Sequence, residues 1–305
     1  MTTQHRYVGD NNALRDILPA LWHDTASHAH FSSPEALCQF VEATPADRHW
    51  EPTAWGDDLA FTGTIDMPQA IALCRAGWPE GAARAARLRD KIIAANPTMP
   101  RLARWDVAGA YPSVARALSG NPMNMRRMDS ARSRRKPVLT LIHHMGGNAQ
   151  IKATSFQNKA AVVAAIVDAI EAADYQVELI AVSVSQESQT GKAIFVHETA
   201  FTVKQPGQPL DIGKLAFSIG HTSAFRRLAF ACRSGDDFNR PLTGTLGQTV
   251  DYRSRPDGAY ILPSLMGREP LFANEQVAAT RGLQFFLNEL RKQDCPAFPT
   301  QEAAA

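Results

Sequence analysis

Two adjacent histidines, His143 and His144, end an apolar run that begins at Val138, and Met145, Gly146, Gly147 and Asn148 follow them. Imidazoles ligate metals or exchange protons near neutrality. Glycines let backbone amides approach an anion, and a following helix N-terminus adds partial positive charge. Neighbouring side chains on a strand face opposite sides, so this pair chelates one ion only if the strand has already ended there. The loop has no Asp or Glu, and its glycine spacing matches neither GxGxxG nor GxxxxGK[ST]. A second polar group, His221, Thr222 and Ser223, precedes "AFRRLAFACRS". A Ser beside a His is no hydrolase without a GxSxG elbow and an acid to orient the base. Thr222 or Ser223 is expected to cap the helix that follows, as Ser155 or Asn158 is for its own helix. Lys159 could meet a ligand phosphate. His197 and Glu198 adjoin within a strand pattern, so they are expected to diverge, with the His facing solvent or a crevice.

The net charge is +2, which excludes a strong polyelectrolyte partner over the whole surface. The positive charge is local: Arg126, Arg127, Arg132, Arg134, Arg135 and Lys136 crowd the segment 126–136. Such a run favours nucleic acid at low salt through counterion release. No aromatic side chain interleaves with it for base stacking, and a solvated linker is the plainer reading. Cys38, Cys74, Cys232 and Cys295 form no CxxC, which argues against a zinc cluster and fits a reducing compartment. No apolar run approaches the ~20 residues that span a bilayer. The expected location is therefore cytoplasmic, with no membrane partner.

These residues need elements to hold them. Residues 1–125 read as a mainly helical region. Ser33-Pro34 and Asp66 with Pro68 open helices, and a break near Gly77–Pro79 splits the second into two. Five tryptophans, Trp22, Trp50, Trp55, Trp78 and Trp105, are expected to build a core among these helices. Residues 126–137 read as a basic linker. From 138 to 295 strands alternate with helices: Val138–Ile142, a helix over 159–173, Val177–Val184, the strand around His197, a helix pair broken at Gly220, a weak strand at "QTVDYRS", "AYILPSL" and a C-terminal helix. That alternation predicts an α/β layer with a mostly parallel, Rossmann-type sheet. Residues 296–305 read as a flexible tail.

The element order over 138–295 resembles a von Willebrand factor A (vWA) domain. The resemblance implies a metal-ion-dependent adhesion site built from Asp-x-Ser-x-Ser, a Thr and an Asp. "HHMGGNA" stands where the first motif belongs, so its carboxylate and both serines are missing. "GHTSAFRRLAFA" places Thr222 at the ligand Thr, and Asp251 or Asp257 would be the third ligand. A degenerate metal site follows, with no cofactor expected beyond a weakly held divalent ion. "WGDDLAFTGTIDMPQAIALCRAGWPEGAARA" and "FQNKAAVVAAIVDAIEAADYQVELIAV" resemble blocks of an uncharacterised phage and prophage family. Together these imply a non-catalytic protein of phage type that binds a protein partner, in viral assembly, through a crevice lined by His143, His144, Gly146, Gly147, Asn148, His221, Thr222 and Ser223. The alternative is a nucleic-acid-associated protein using 126–136, and a third is a metal-dependent hydrolase. No nucleophile–base–orienter set is complete in the sequence, so enzyme activity ranks last.

Overall fold

The computed structural model describes residues 4–19, 25–44, 58–96, 105–107, 111–112, 120, 122–126, 136–189, 192–234, 248–255 and 257–299. Its centre is a mixed sheet. Six strands lie side by side in the order β1 (Gln4–Val8), β2 (Thr25–Phe31), β8 (Lys192–Lys204), β7 (Gln176–Gln189), β6 (Val138–His144) and β10 (Ala259–Leu262). Short β9 (Gln248–Thr249) pairs with β7 at Ser185 and Gln186, beyond the point where β6 ends opposite Val182. A separate small sheet joins β3 (Trp105–Asp106), β5 (Met125–Arg126) and β4 (Tyr111–Pro112). The fold class is the α/β layer expected.

The main sheet has two parallel halves. β10, β6 and β7 run one way, and β8, β2 and β1 run the other. They meet antiparallel at the β7–β8 hairpin. Within the first half, helix α6 (Ala153–Ala172) connects β6 to β7, as a parallel crossover requires. Its Ala- and Val-rich sequence is buried on nearly every side, and it starts six residues before the expected 159. The helices expected near the N-terminus are present. In α2 (Pro34–Ala43) Ser33 Oγ accepts from the Ala36 amide, and in α4 (Met67–Ala76) Asp66 accepts from the Gln69 amide. Chain direction breaks at Gly77, and α5 (Pro79–Ala95) follows.

The same region also supplies β1 and β2, which the sequence reading did not anticipate. The sheet therefore crosses the expected boundary at 126–137, and Ala85, Leu88 and Ile92 of α5 share a core with α6. Of the expected tail, Ala297 and Phe298 are buried in that core, and 300–305 lie outside the described residues. Of the five tryptophans, Trp78 packs against the core as expected.

The two faces differ. One is covered by α2, α4, α5, α6, α7 (Ile212–Gly220), α8 (Phe230–Ser234) and the C-terminal helical run α9 (Glu275–Val277, Ala278–Gly282, Leu283–Lys292). The other carries Ala26, Ile142, Ile180, Val182, Val184, Val196, Ala200 and Ile261, and is covered by Leu14 and Leu18 around short α1 (Leu14–Ile17) and by Val250 and Tyr252. Alternation along β2 puts Ser27, Ala29 and Phe31 under the helices and Ala26, His28 and His30 on the opposite face.

Gly9 ends β1 with φ +99°, and a Cβ built there would stand 2.0 Å from the His30 carbonyl oxygen. The chain leaves β1 against the backbone of the parallel β2 with no room for a side chain. Gly9→Ala should therefore lower stability by about 1–3 kcal/mol, the usual cost of forced backbone strain. Urea unfolding measures it, and an unchanged midpoint would refute the close approach.

Candidate functional site

The rim expected to form a crevice is filled by the chain itself. His143 and His144 diverge across β6 as expected, and both are fully buried. Burial holds His144 at about 4 and pushes His143 well below the usual imidazole range, with Lys159 adding to the effect. The Lys159 ammonium is also buried, donates to the His144 carbonyl at 2.7 Å, and is lowered by that burial to about 7. Gly146 and Gly147 serve packing: a Cβ would lie 2.4 Å from Thr249 Cγ2 at the first and 2.8 Å from Phe156 Cζ at the second. Asn148 is exposed.

Thr222 and Ser223 cap nothing. Both hydroxyls donate to the Thr62 carbonyl, at 2.8 and 2.6 Å, which draws α3 (Asp58–Thr62) over the rim. Arg226 completes the closure by donating to the carbonyls of Phe61, Asn148, Ala149 and Ile151. His221 stacks on Phe217 and meets Trp78 edge-on, and burial lowers it to about 4. Asp251 accepts from Arg268 at 2.7 Å and from the Ser264 amide at 2.8 Å, so it and Thr222 are committed to different partners. Asp257 is exposed. Ser155 and Asn158 likewise do not cap α6: they donate to Glu269 and to the Phe272 carbonyl. Arg127, Arg132, Arg134 and Arg135 lie outside the described residues, Arg126 lies in β5, and Lys136 pairs with Asp174 at 2.7 Å.

The opposite face, covered among the described residues by α1 and residues 250–252, holds a cluster of titratable side chains. In register across three strands stand Glu198 on β8, His28 on β2 and Tyr7 on β1. His30 follows His28 by two residues and so shares its face. The His28 Nδ1–H donates to Glu198 Oε1 at 2.9 Å, and the His30 Nε2–H donates to the same oxygen at 2.6 Å. The Tyr252 hydroxyl donates to Glu198 Oε2. Glu198 is 1% exposed. Burial alone would raise its pKa, but the two histidine hydrogen bonds outweigh it and hold the carboxylate at about 2. Burial, with the Glu198 charge beside it, pushes the Tyr252 phenol well up.

Further groups fix the rings. Tyr7 stacks on His28 with centroids 4.3 Å apart, and His5 Nδ1 stands 3.4 Å from His28 Nε2. Among the described residues, His30 Nδ1 is buried without a hydrogen-bond partner. Beside the cluster is a cavity of about 150 Å³ lined by His5, Tyr7, Arg15, Leu18, Pro19, His28, His30 and Glu198. Among the described residues, His28, His30 and Glu198 are the group of His, Cys, Asp or Glu side chains whose donor atoms all lie within 4.8 Å of one another.

His197 turns the other way, as expected from its place beside Glu198, but it is buried rather than facing solvent. Ser27 Oγ lies 2.5 Å from its Nδ1 and Thr199 Oγ1 2.9 Å from its Nε2. The two hydroxyls on one imidazole form a hydrogen-bond chain across β2 and β8. The four cysteines are buried thiols. Among the described residues, no helix is long and apolar enough to cross a membrane.

A family model described as a domain of unknown function, DUF7192, matches residues 14–285. The chain belongs to the DUF7192 family. The span that matches the DUF7192 model holds Arg15, His28, His30, Glu198 and Tyr252, while His5 and Tyr7 precede it. No curated protein and no solved structure matches this DUF7192 chain.

The sequence signal for the cluster was His28-x-His30, two imidazoles at the period of a strand. Residues 1–125 read as helical, and on a helix those two rings would diverge.

Proposed function

We propose that the protein binds a divalent transition metal through His28 Nδ1, His30 Nε2 and Glu198 Oε1 and uses it on a small ligand in the adjoining cavity. One observation carries the reading: three buried donors of the types such metals prefer converge beside a cavity. Two imidazoles and one carboxylate make a set that leaves coordination positions open for a ligand. The donor atoms stand 2.6 and 2.9 Å apart, close to the spacing of neighbours around one ion, so the metal would replace the shared protons after a small outward shift. Tyr252 fixes the outer carboxylate oxygen, and His5 stands at the outer nitrogen of His28, as second-layer groups do at metal centres. Such a metal supplies Lewis acidity toward a carbonyl or phosphoryl oxygen. The protein's part is to hold the ion, shape the cavity and keep its wall apolar at Leu18 and Pro19.

The test is a thermal melt of untagged protein with Zn²⁺, Co²⁺, Ni²⁺ or Mg²⁺. Binding to the native state alone adds about 2.7 kcal/mol at a hundredfold excess over Kd. Zn²⁺, Co²⁺ and Ni²⁺ should raise Tm by several degrees and Mg²⁺ should not, since it takes oxygen ligands. His28→Ala and His30→Ala should each abolish the zinc response. A response unchanged in both variants would overturn the reading.

A vWA-like adhesion role with a protein partner, in a phage setting, is the second reading, supported by the order of elements read from the sequence over 138–295 alone. A nucleic-acid role at 126–136 is supported by the charge run alone.

A further inference from the structure

We infer that the cavity beside His28, His30 and Glu198 takes a small anionic oxygen ligand, a carboxylate or phosphate group, held between the metal and the Arg15 guanidinium. This rests on the metal reading above. The first ground is charge. A divalent ion held by two imidazoles and one carboxylate keeps one net positive charge, and Arg15 brings another to the same cavity wall. Arg15 is exposed at the cavity mouth, and two positive charges facing one cavity favour an anion over a neutral ligand.

The second ground is placement. Arg15 belongs to α1, the cover of this face, and its guanidinium lies over the Tyr7 ring, 3.8 Å from the centroid. Tyr7 in turn stacks on His28. The cation is thus held at the mouth by a ring that also fixes a metal ligand. A planar guanidinium presents paired N–H donors that match carboxylate and phosphate oxygens.

The third ground is size. The cavity is about 150 Å³, below the ~300–1,000 Å³ of pockets that enclose drug-sized molecules. It admits an acetate or a phosphate, or the end group of a larger molecule. Leu18 and Pro19 form its apolar side, which suits a short carbon stem behind the anionic group.

The experiment uses the full chain loaded with Co²⁺, whose visible absorption reports its ligands. Inorganic phosphate, acetate and, as a neutral control, acetamide are titrated in turn. Phosphate or acetate should change the cobalt spectrum saturably, and acetamide should not; which anion binds tighter assigns the group. Arg15→Gln should keep the cobalt spectrum and cobalt affinity yet weaken the anion at least tenfold, and Arg15→Lys should recover part of that loss. Native protein that binds cobalt but answers to neither anion would overturn the inference and leave the metal reading standing. So would an Arg15→Gln chain that binds the anion as tightly as native. A chain that binds no cobalt would overturn both.

Discussion

Glu198→Ala should destabilise the fold by about 3–5 kcal/mol, the cost of removing one partner of a buried ionic cluster, and should abolish metal binding. The carboxylate is nearly inaccessible and serves three donors at once: His28, His30 and Tyr252. Its loss leaves all three buried and unsatisfied on β2 and beyond β9, and opens a void between them. Glu198→Gln separates shape from charge. It keeps one acceptor oxygen for the imidazoles and lets the amide donate to Tyr252, so it should recover much of the stability while still failing to hold zinc. Urea unfolding and zinc titration read the two effects separately. An alanine variant within 1 kcal/mol of native, a margin typical of surface changes, would show that the cluster is not buried as described.

The second large effect is on acid stability. Burial holds His144 at about 4, and His143 is displaced in the same direction. A free imidazole titrates near ~6.5. Between those values the unfolded chain takes up protons that the folded chain refuses, so stability falls as pH falls. From pH 6.5 to 4.5 His144 alone should cost about 2 kcal/mol. Lys159, lowered to about 7, acts in the same direction above that pH and has taken up most of its proton below it. Glu198, held at about 2, keeps its full contribution until the pH nears 4.5 and loses it only from there down to about 2. The window from 6.5 to 4.5 therefore belongs to the histidines. Urea midpoints at pH 6.5 and 4.5 measure the loss, and His144→Leu should remove its own share of it while His143 and His221, which burial lowers too, keep the rest. A native profile level across that window would contradict the burial of both rings.

Much of the architecture was legible because the second half follows simple periodicities. Val138–His144, the Ala- and Val-rich α6 and the β-branched β7 announce a parallel unit, and proline after Ser33 and near Asp66 marks two helix starts. β1 and β2 were not legible. "SHAHF" alternates correctly for a strand, but the positions facing the open side are histidines where an apolar residue would have advertised the pattern. The candidate site was hidden for the same reason. Its residues pair across more than half of the chain, and Glu198 drew notice only as the neighbour of His197. The rim residues singled out by sequence were read one loop at a time. Their burial comes from Thr62 and Arg226, which the sequence gives no reason to place beside them.

The β7–β8 reversal also fixes an order of events in synthesis. β2 can pair with β1 at once, but it meets its other neighbour, β8, only when residues about 170 positions downstream have been made. Until then its far edge is open, and the His28-x-His30 imidazoles stand without the carboxylate that joins them. The β6–α6–β7 unit, whose contacts are local, can form sooner, and pairing of such distant strands is slow because the chain between them must first be ordered. Metal acceptance, if premature, would thus compete with closure of the sheet, and a nascent chain would gain its full donor set only after the hairpin has turned back.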